Sequence, residues 1–400
     1  MPPLVGRASR SPAAGEIWWS MYQVIARKYR PQLFAELVGQ QHVRNTLERA
    51  ITEDRIAHSY VFSGQRGVGK TSVARLLARC LNCADGPTIT PCGTCTSCRE
   101  IAAGNATDVI QIDAASNRGI NEMRELRDNV RFQPARDRYK VFIIDEAHQI
   151  TSEGFNALLK TLEEPPSWAV FVLCTTEAHR IPATIASRCQ HFAFHSVAFE
   201  DVVGLMERIC RQESIETDPE SLAVITQAGD GSVRDSLSAL DQAIARCGAR
   251  LDPTEVRSLL GVFSLDELNQ VTAALLQRDT RRMLEIVDSL VRDGKDLQQF
   301  WRCLTRHFRN LLVVKTAGTG RLLAAAPADK ERLRDIAAQF PQEDLMRYLD
   351  LMLGLGQDLE WSSNRRVYLE LGLIKLIHVS KLPIIEAALS RLRGSGADAS

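Results

Sequence analysis

The chain has 400 residues, is 45% hydrophobic, and carries 49 basic and 49 acidic side chains that cancel. That length implies two or three domains. The neutral balance excludes a whole-molecule field for nucleic acid, so any such surface must be local, and no apolar run approaches membrane-spanning length. Residues 1–20 contain Arg7, Arg10, Trp18 and Trp19 but no apolar core segment. They read as a disordered extension, or as translation from a start upstream of Met21, and not as a secretory signal. Ten cysteines without such a signal point to a reducing cytoplasm, where clustered thiols mean metal or catalysis before disulfides.

Residues 21–197 alternate short apolar strands with helical periodicity. Strands are predicted at Tyr60–Ser63, Val109–Asp113, Val141–Asp145, Val170–Thr175 and His191–Phe194. This alternation predicts a parallel sheet with helices on both faces. The first strand runs into Gly64, Gln65, Arg66, Gly67, Val68, Gly69, Lys70 and Thr71, with Ser72 opening an apolar-periodic helix. The pattern is G-x-x-x-x-G-K-[ST] in its strand–loop–helix context, a candidate ATP cradle. Backbone N–H groups and the helix N-terminus can wrap a phosphate chain. Lys70 can reach the β- and γ-phosphates, and the Thr71 hydroxyl can ligate Mg²⁺.

Next comes C-x₈-C-x₂-C-x₂-C: Cys83, Cys92, Cys95 and Cys98. Four thiolates at this spacing fit a structural, tetrahedral Zn²⁺ with no open position for catalysis. Cys80 lies on the apolar face of the preceding helix and is assigned to the core. The strand ending at Asp145-Glu146 supplies two acids: Asp145 suits Mg²⁺, and Glu146 suits orienting or deprotonating a water. Thr175 and Thr176 end the next strand, where a hydroxyl could reach a γ-phosphate. Asn117, Arg118 and Lys160 follow strand or helix ends where DNA phosphates could sit, and could equally be solvated surface. Arg188 and Arg234 could both be surface arginines. Arg234 falls in the first turn of its helix, where the macrodipole disfavours a cation, so a partner anion is plausible.

From Ala198 the strand signals stop. Helices are predicted at Phe199–Arg211, Pro219–Ala228 and Ser232–Arg246, with Asp218-Pro219 a helix start and Ser232 with Asp235 resembling a capping box. Residues 263–383 are helical again, with apolar spacing in Leu265–Leu276, Met283–Val291, Phe300–Val314 and Leu345–Leu355. A loop is predicted at Ala324–Asp329, and Gly394–Ser400 should fray.

In order along the chain stand Arg27-Lys-Tyr-Arg30-Pro31, Val38-Gly39-Gln40, the glycine loop, the four cysteines, Asp113-Ala-Ala-Ser116-Asn117, Ile144-Asp-Glu-Ala-His148, Leu158-Leu-Lys-Thr-Leu-Glu-Glu-Pro165, Thr175-Thr176, Ser187-Arg-Cys189 and Gly231-Ser-Val-Arg-Asp235. Together they closely resemble the gamma/tau family of bacterial DNA polymerase III, AAA+ clamp-loader ATPases, from about Met21 to Arg393. The resemblance implies an α/β P-loop AAA+ domain at 21–197 with a zinc module at 80–100, a helical lid at 198–262 and an all-α collar at 263–393. Residues 1–20 and 394–400 would be disordered. It implies assembly of a pentamer with delta and delta-prime subunits and further copies of the chain. ATP binding would shape this ring to open the sliding clamp on primer–template DNA, and hydrolysis would release it. Thr175 or Thr176 would be one sensor and Arg234 a second, contacting γ-phosphate from the lid. Arg188 would act in trans as an arginine finger. Val38 with Tyr29-Arg30-Pro31 would enclose adenine. The end of the chain just after the collar resembles the short gamma form, or a truncated one, without tau's polymerase- and helicase-binding tail. A silent scaffold like delta-prime and a branch-migration-type motor are the alternatives. The first need not keep Lys70, Thr71, Asp145 and Glu146, and the cysteine insertion and third domain argue against the second.

Overall fold

The computed structural model describes residues 23–318, 323 and 327–379, so the expectations for 1–20 and 394–400 lie outside the described residues. Its centre is a five-stranded parallel sheet of β1 (Ser59–Ser63), β2 (Val109–Asp113), β3 (Lys140–Asp145), β4 (Ala169–Thr175) and β5 (Gln190–Ala193), in the order β2-β3-β4-β1-β5. Strand period explains how the sheet is covered. Along β3, Val141 and Ile143 pack on one face with Val73, Leu77 and Leu81 of the Lys70–Asn82 helix. Phe142 and Ile144 pack on the other face with Met123, Leu126, Phe155 and Leu158 of helices Ile120–Val130 and Ser152–Glu163. With both faces covered, β3 and β4 can be apolar along Val141–Ile144 and Ala169–Cys174, whereas edge strand β2 keeps exposed Gln111 and Asp113.

A second core joins helices Phe199–Gln212, Pro219–Gly229, Val233–Cys247 and Pro253–Leu260. Ile25 lies inside it, and Tyr29 and Val38 pack against it, so the N-terminal segment ties this helical unit to the sheet. A small parallel pair also forms, β6 (Glu216–Thr217) with β7 (Arg250–Leu251). No strand was predicted beyond Ala198. Two-residue strands have no periodicity to read, and tertiary packing creates them. Ser232 Oγ accepts from Asp235 N at 3.1 Å, capping the helix that follows.

The third core gathers helices Leu265–Gln277, Thr280–Arg292, Leu297–Ala317, Pro327–Ala338, Gln342–Trp361 and Arg365–Val379. The loop expected at Ala324–Asp329 is corrected in its second half. Pro327–Asp329 opens a helix, because proline at the first helical position loses no hydrogen bond, while 324–326 lie outside the described residues. No single described helix is long and apolar enough to cross a membrane.

His307 sits in this third core, 3% exposed, where it lines a cavity of about 1050 Å³ shared with the second helical unit. Its Nε2 has no hydrogen-bond partner, and burial pulls the imidazole down to about 4. An unfolded histidine titrates near 6.5, so between those values only the unfolded chain takes the proton and stability falls as pH drops. Urea unfolding should show the parent losing up to about 3 kcal/mol more than His307→Leu between pH 6.5 and 4. Parallel losses in the two proteins would refute this.

Candidate nucleotide site and cysteine cluster

The glycine loop joins β1 to the Lys70–Asn82 helix, with Gly69 (φ +107°) at the N-cap. Gly67 (φ +76°) excludes a side chain twice over. Its backbone is left-handed, and a Cβ there would lie 1.9 Å from Ser232 Oγ. The loop therefore abuts the first turn of the Val233–Cys247 helix, where Arg234 N donates to Gly67 O at 3.2 Å. Ser196 Oγ donates to exposed Gln65 at 2.9 Å; Arg66 is also exposed, Val68 is buried and Ser72 half-buried. Lys70 Nζ donates to the carbonyls of Gly64 and Gln65, 2.7 Å each. Burial draws this ammonium below the usual lysine range, with Glu146 and Asp145 opposing.

Opposite the loop, Thr71 Oγ1 donates to Asp145 Oδ1 at 2.6 Å. Two oxygen donors held side by side at a strand end suit Mg²⁺. Asp145 Oδ2 accepts from Gln111 Nε2, and Gln111 Oε1 accepts from Arg75 Nε at 2.9 Å. Glu146 has left-handed φ of +49°, a strained placement for a non-glycine residue of the kind that gathers at functional sites. Its Oε2 accepts from Thr176 Oγ1 at 3.3 Å and lies 3.6 Å from His148 Nδ1. His148 Nδ1 is also 3.2 Å from the hydroxyl of fully buried Thr175. Both threonines thus reach Glu146, Thr176 directly and Thr175 through His148.

The other candidates scatter. Arg234 is exposed at the loop's edge. Half-buried Val38 packs against the second core. Arg188 follows the Ala183–Ala186 turn of helix and pairs with Glu163 at 2.8 Å and with Thr184 O, neither of them part of its own chain's nucleotide site. Asn117 and Arg118 are neighbours ahead of the Ile120–Val130 helix. Asn117 Nδ2 donates to Asp113 O at 3.1 Å, and Arg118 O accepts from Thr151 N at 3.1 Å. Lys160 does not follow a helix end, as expected from sequence. It is an exposed residue of the last turn of Ser152–Glu163, because the helix continues through Leu162 and Glu163. It stands about 9 Å of helix rise beyond Gly154, near which Arg118 lies. No hydrogen bond joins Lys160 to Asn117 or Arg118 among the described residues.

Cys83 ends the Lys70–Asn82 helix, Cys95 caps Thr96–Ala103, and the sulfurs of Cys83, Cys92, Cys95 and Cys98 lie within 4.8 Å of one another. Cys92 N donates to Cys83 Sγ at 3.3 Å, and the N–H groups of Cys95 and Cys98 donate to Cys92 and Cys95 Sγ at 3.4 Å each. Sulfurs at Zn–S of about 2.3 Å stand about 3.8 Å apart in a tetrahedron, so the donor set fits zinc. Cys80 is fully buried in the sheet's core, where burial pushes its thiol up to about 12.

Sequence reasoning missed part of the site. Burial, reinforced by Arg75 and Arg234, draws Arg30 below the usual arginine range, while Asp145 opposes. Arg30 thus shares the electrostatic field of Asp145, Arg75 and Arg234. Arg75 had a readable signal, one helical turn after Thr71 on the same face. Gln111 had a fainter one, a polar residue within the apolar alternation of Val109–Asp113. The third partner, Arg30, comes from a distant segment that only folding brings near.

Three family models match in succession. The DNA polymerase III delta subunit model covers residues 39–198, the clamp loader subunit ATPase lid domain 201–249, and domain III of DNA polymerase III subunits gamma and tau 251–392. The chain is 38% identical to DNA polymerase III subunit tau of Bacillus subtilis (strain 168), over 93% of this chain and 67% of that one. It is 39% identical to subunit tau of Escherichia coli (strain K12), over 92% and 58%. It thus spans about three fifths to two thirds of these tau relatives' length. It is 34% identical to subunit gamma of Buchnera aphidicola subsp. Acyrthosiphon pisum (strain APS), over 89% of this chain and 99% of that one. With its glycine loop, acid pair and cysteine cluster inside these matches, the chain belongs to the gamma/tau family of DNA polymerase III clamp-loader subunits.

Proposed function

We propose that this chain is an ATP-hydrolysing clamp-loader subunit that uses ATP to open a sliding clamp and load it on primed DNA. The observation that carries the reading is Thr71 hydrogen-bonded to Asp145 at 2.6 Å beneath a glycine loop that Arg234's helix touches. Lys70 exchanges its two loop carbonyls for phosphate oxygens. Mg²⁺, held by Thr71 and through Asp145, would neutralise phosphate charge. Glu146, oriented by Thr176 and His148, takes up the proton of the attacking water. Thr175 or Thr176 senses the γ-phosphate, and Arg234 transmits its presence to the lid because its backbone is already bonded to Gly67. Arg188, exposed and turned from its own site, serves a neighbour's ATP. Val38, with Tyr29 and Arg30, borders the adenine end.

The same reading divides the chain into an ATPase domain at 21–197, a lid at 198–262 and a collar at 263–393. It gives delta and delta-prime subunits, further copies of the chain, the clamp and primer–template DNA as partners, in the bacterial cytoplasm. Asn117 and Arg118, and separately Lys160, are offered as DNA contacts. Zn²⁺ held by Cys83, Cys92, Cys95 and Cys98 is structural.

ATP turnover by the reconstituted assembly tests the reading. Turnover should rise when clamp and primed DNA are added together. A chain that neither binds nor hydrolyses ATP in that assembly would be a silent scaffold.

A further inference from the structure

We propose that Arg79 is the buried countercharge of the four-cysteine site and ties that site to the nucleotide-binding segment through Gln32. A zinc ion with four thiolates carries a net charge of about −2. Such charge under a protein surface needs a cation or hydrogen-bond donors to be tolerated. Arg79 is 7% exposed on the Lys70–Asn82 helix, one turn before Cys83. Its Nη2 lies 3.0 Å from where a Cβ on Gly93 would be, against the turn between Cys92 and Cys95. Its buried Nε has no hydrogen-bond partner. A buried guanidinium with a spare donor against the turn between Cys92 and Cys95 is stabilised once the sulfurs carry charge.

The other side of the guanidinium meets Gln32. Arg79 Nη1 donates to Oε1 and the carbonyl of Gln32. Gln32 Nε2 donates to Arg30 O at 2.9 Å, and the Arg30 guanidinium stands in the field of Asp145, Arg75 and Arg234. One helix therefore carries Lys70 and Thr71 at its start and Arg79 with the first cysteine at its end. The coupling half of the inference rests on reading Gly64–Thr71 as the nucleotide site. The countercharge half does not.

The test uses the full chain loaded with Zn²⁺ and two readouts: zinc release to the chelator 4-(2-pyridylazo)resorcinol, and ATP affinity by equilibrium binding. Arg79→Met should release zinc about 10- to 100-fold faster, the range for lost outer-shell partners of a metal site, and bind ATP several-fold more weakly. Arg79→Lys should largely restore zinc retention. Gln32→Leu should keep zinc as the parent does and weaken ATP binding alone. Parent-like zinc release from folded Arg79→Met overturns the countercharge, whatever happens to ATP. If that variant fails to fold, Arg79→Lys decides: zinc release as fast as from protein with Cys98→Ser overturns it too. Parent-like ATP affinity in Gln32→Leu overturns the tether, while loss of ATP binding in the parent itself would strike the nucleotide reading instead.

Discussion

Lys70→Ala is expected to cut ATP hydrolysis by about 10²- to 10⁴-fold while leaving the fold intact. Lys70 Nζ makes two hydrogen bonds, both to carbonyls of its own loop, at 2.7 Å. With ATP bound, the same donors would meet phosphate oxygens. Two charge-assisted hydrogen bonds at about 1.5–3 kcal/mol each account for that range of rate. The lysine is 8% exposed and drawn below its usual range by burial, so the ammonium is held in a dry, cramped place that anionic phosphate would relieve. Alanine is favourable at a helix start, and circular dichroism should remain that of the parent. Turnover within threefold of the parent would remove Lys70 from the chemistry.

Arg188→Ala should leave ATP binding by the isolated chain unchanged and lower hydrolysis by the assembly about 10³-fold or more, the scale of an arginine finger. Its side chain is 37% exposed, and its partners Glu163 and Thr184 O are surface groups. An exposed pair of this kind is worth at most about 1 kcal/mol, so stability should scarcely change. Single-turnover hydrolysis, measured on the isolated chain and on the assembly, separates a role in trans from one in cis. If the isolated chain hydrolyses at the assembled rate, with or without Arg188, no neighbour's arginine is required.

What the sequence disclosed depended on whether the signal was contiguous. The five sheet strands were readable because runs such as Val141–Ile144 are apolar and end in a polar residue such as Asp145. The start of β3 at Lys140 was not, since a lysine does not look like a buried strand residue. Its Nζ is satisfied by Asn129 O at 2.8 Å, a contact across 11 residues of chain. The Pro327–Ala338 helix opens inside the stretch expected to be a loop, and β6 and β7 are too short for any period to show. In the site, Gly64–Thr71 and the four cysteines announce themselves because their spacing is local. The Arg75–Gln111–Asp145 chain and the support of Glu146 by Thr176 and His148 are tertiary. Arg234 is an intermediate case. A cation in a helix's first turn is anomalous in one dimension, and the structure adds that this turn rests on Gly67.

The most direct measurement of the central claim is clamp loading itself. The chain, with delta and delta-prime subunits, clamp, ATP and Mg²⁺, is mixed with primed circular DNA, and clamp retained on the DNA is counted alongside phosphate released. Loading that requires ATP, rises together with hydrolysis and vanishes with Lys70→Ala is the predicted result. Equal loading with Lys70→Ala, or hydrolysis indifferent to clamp and primed DNA, would contradict the account.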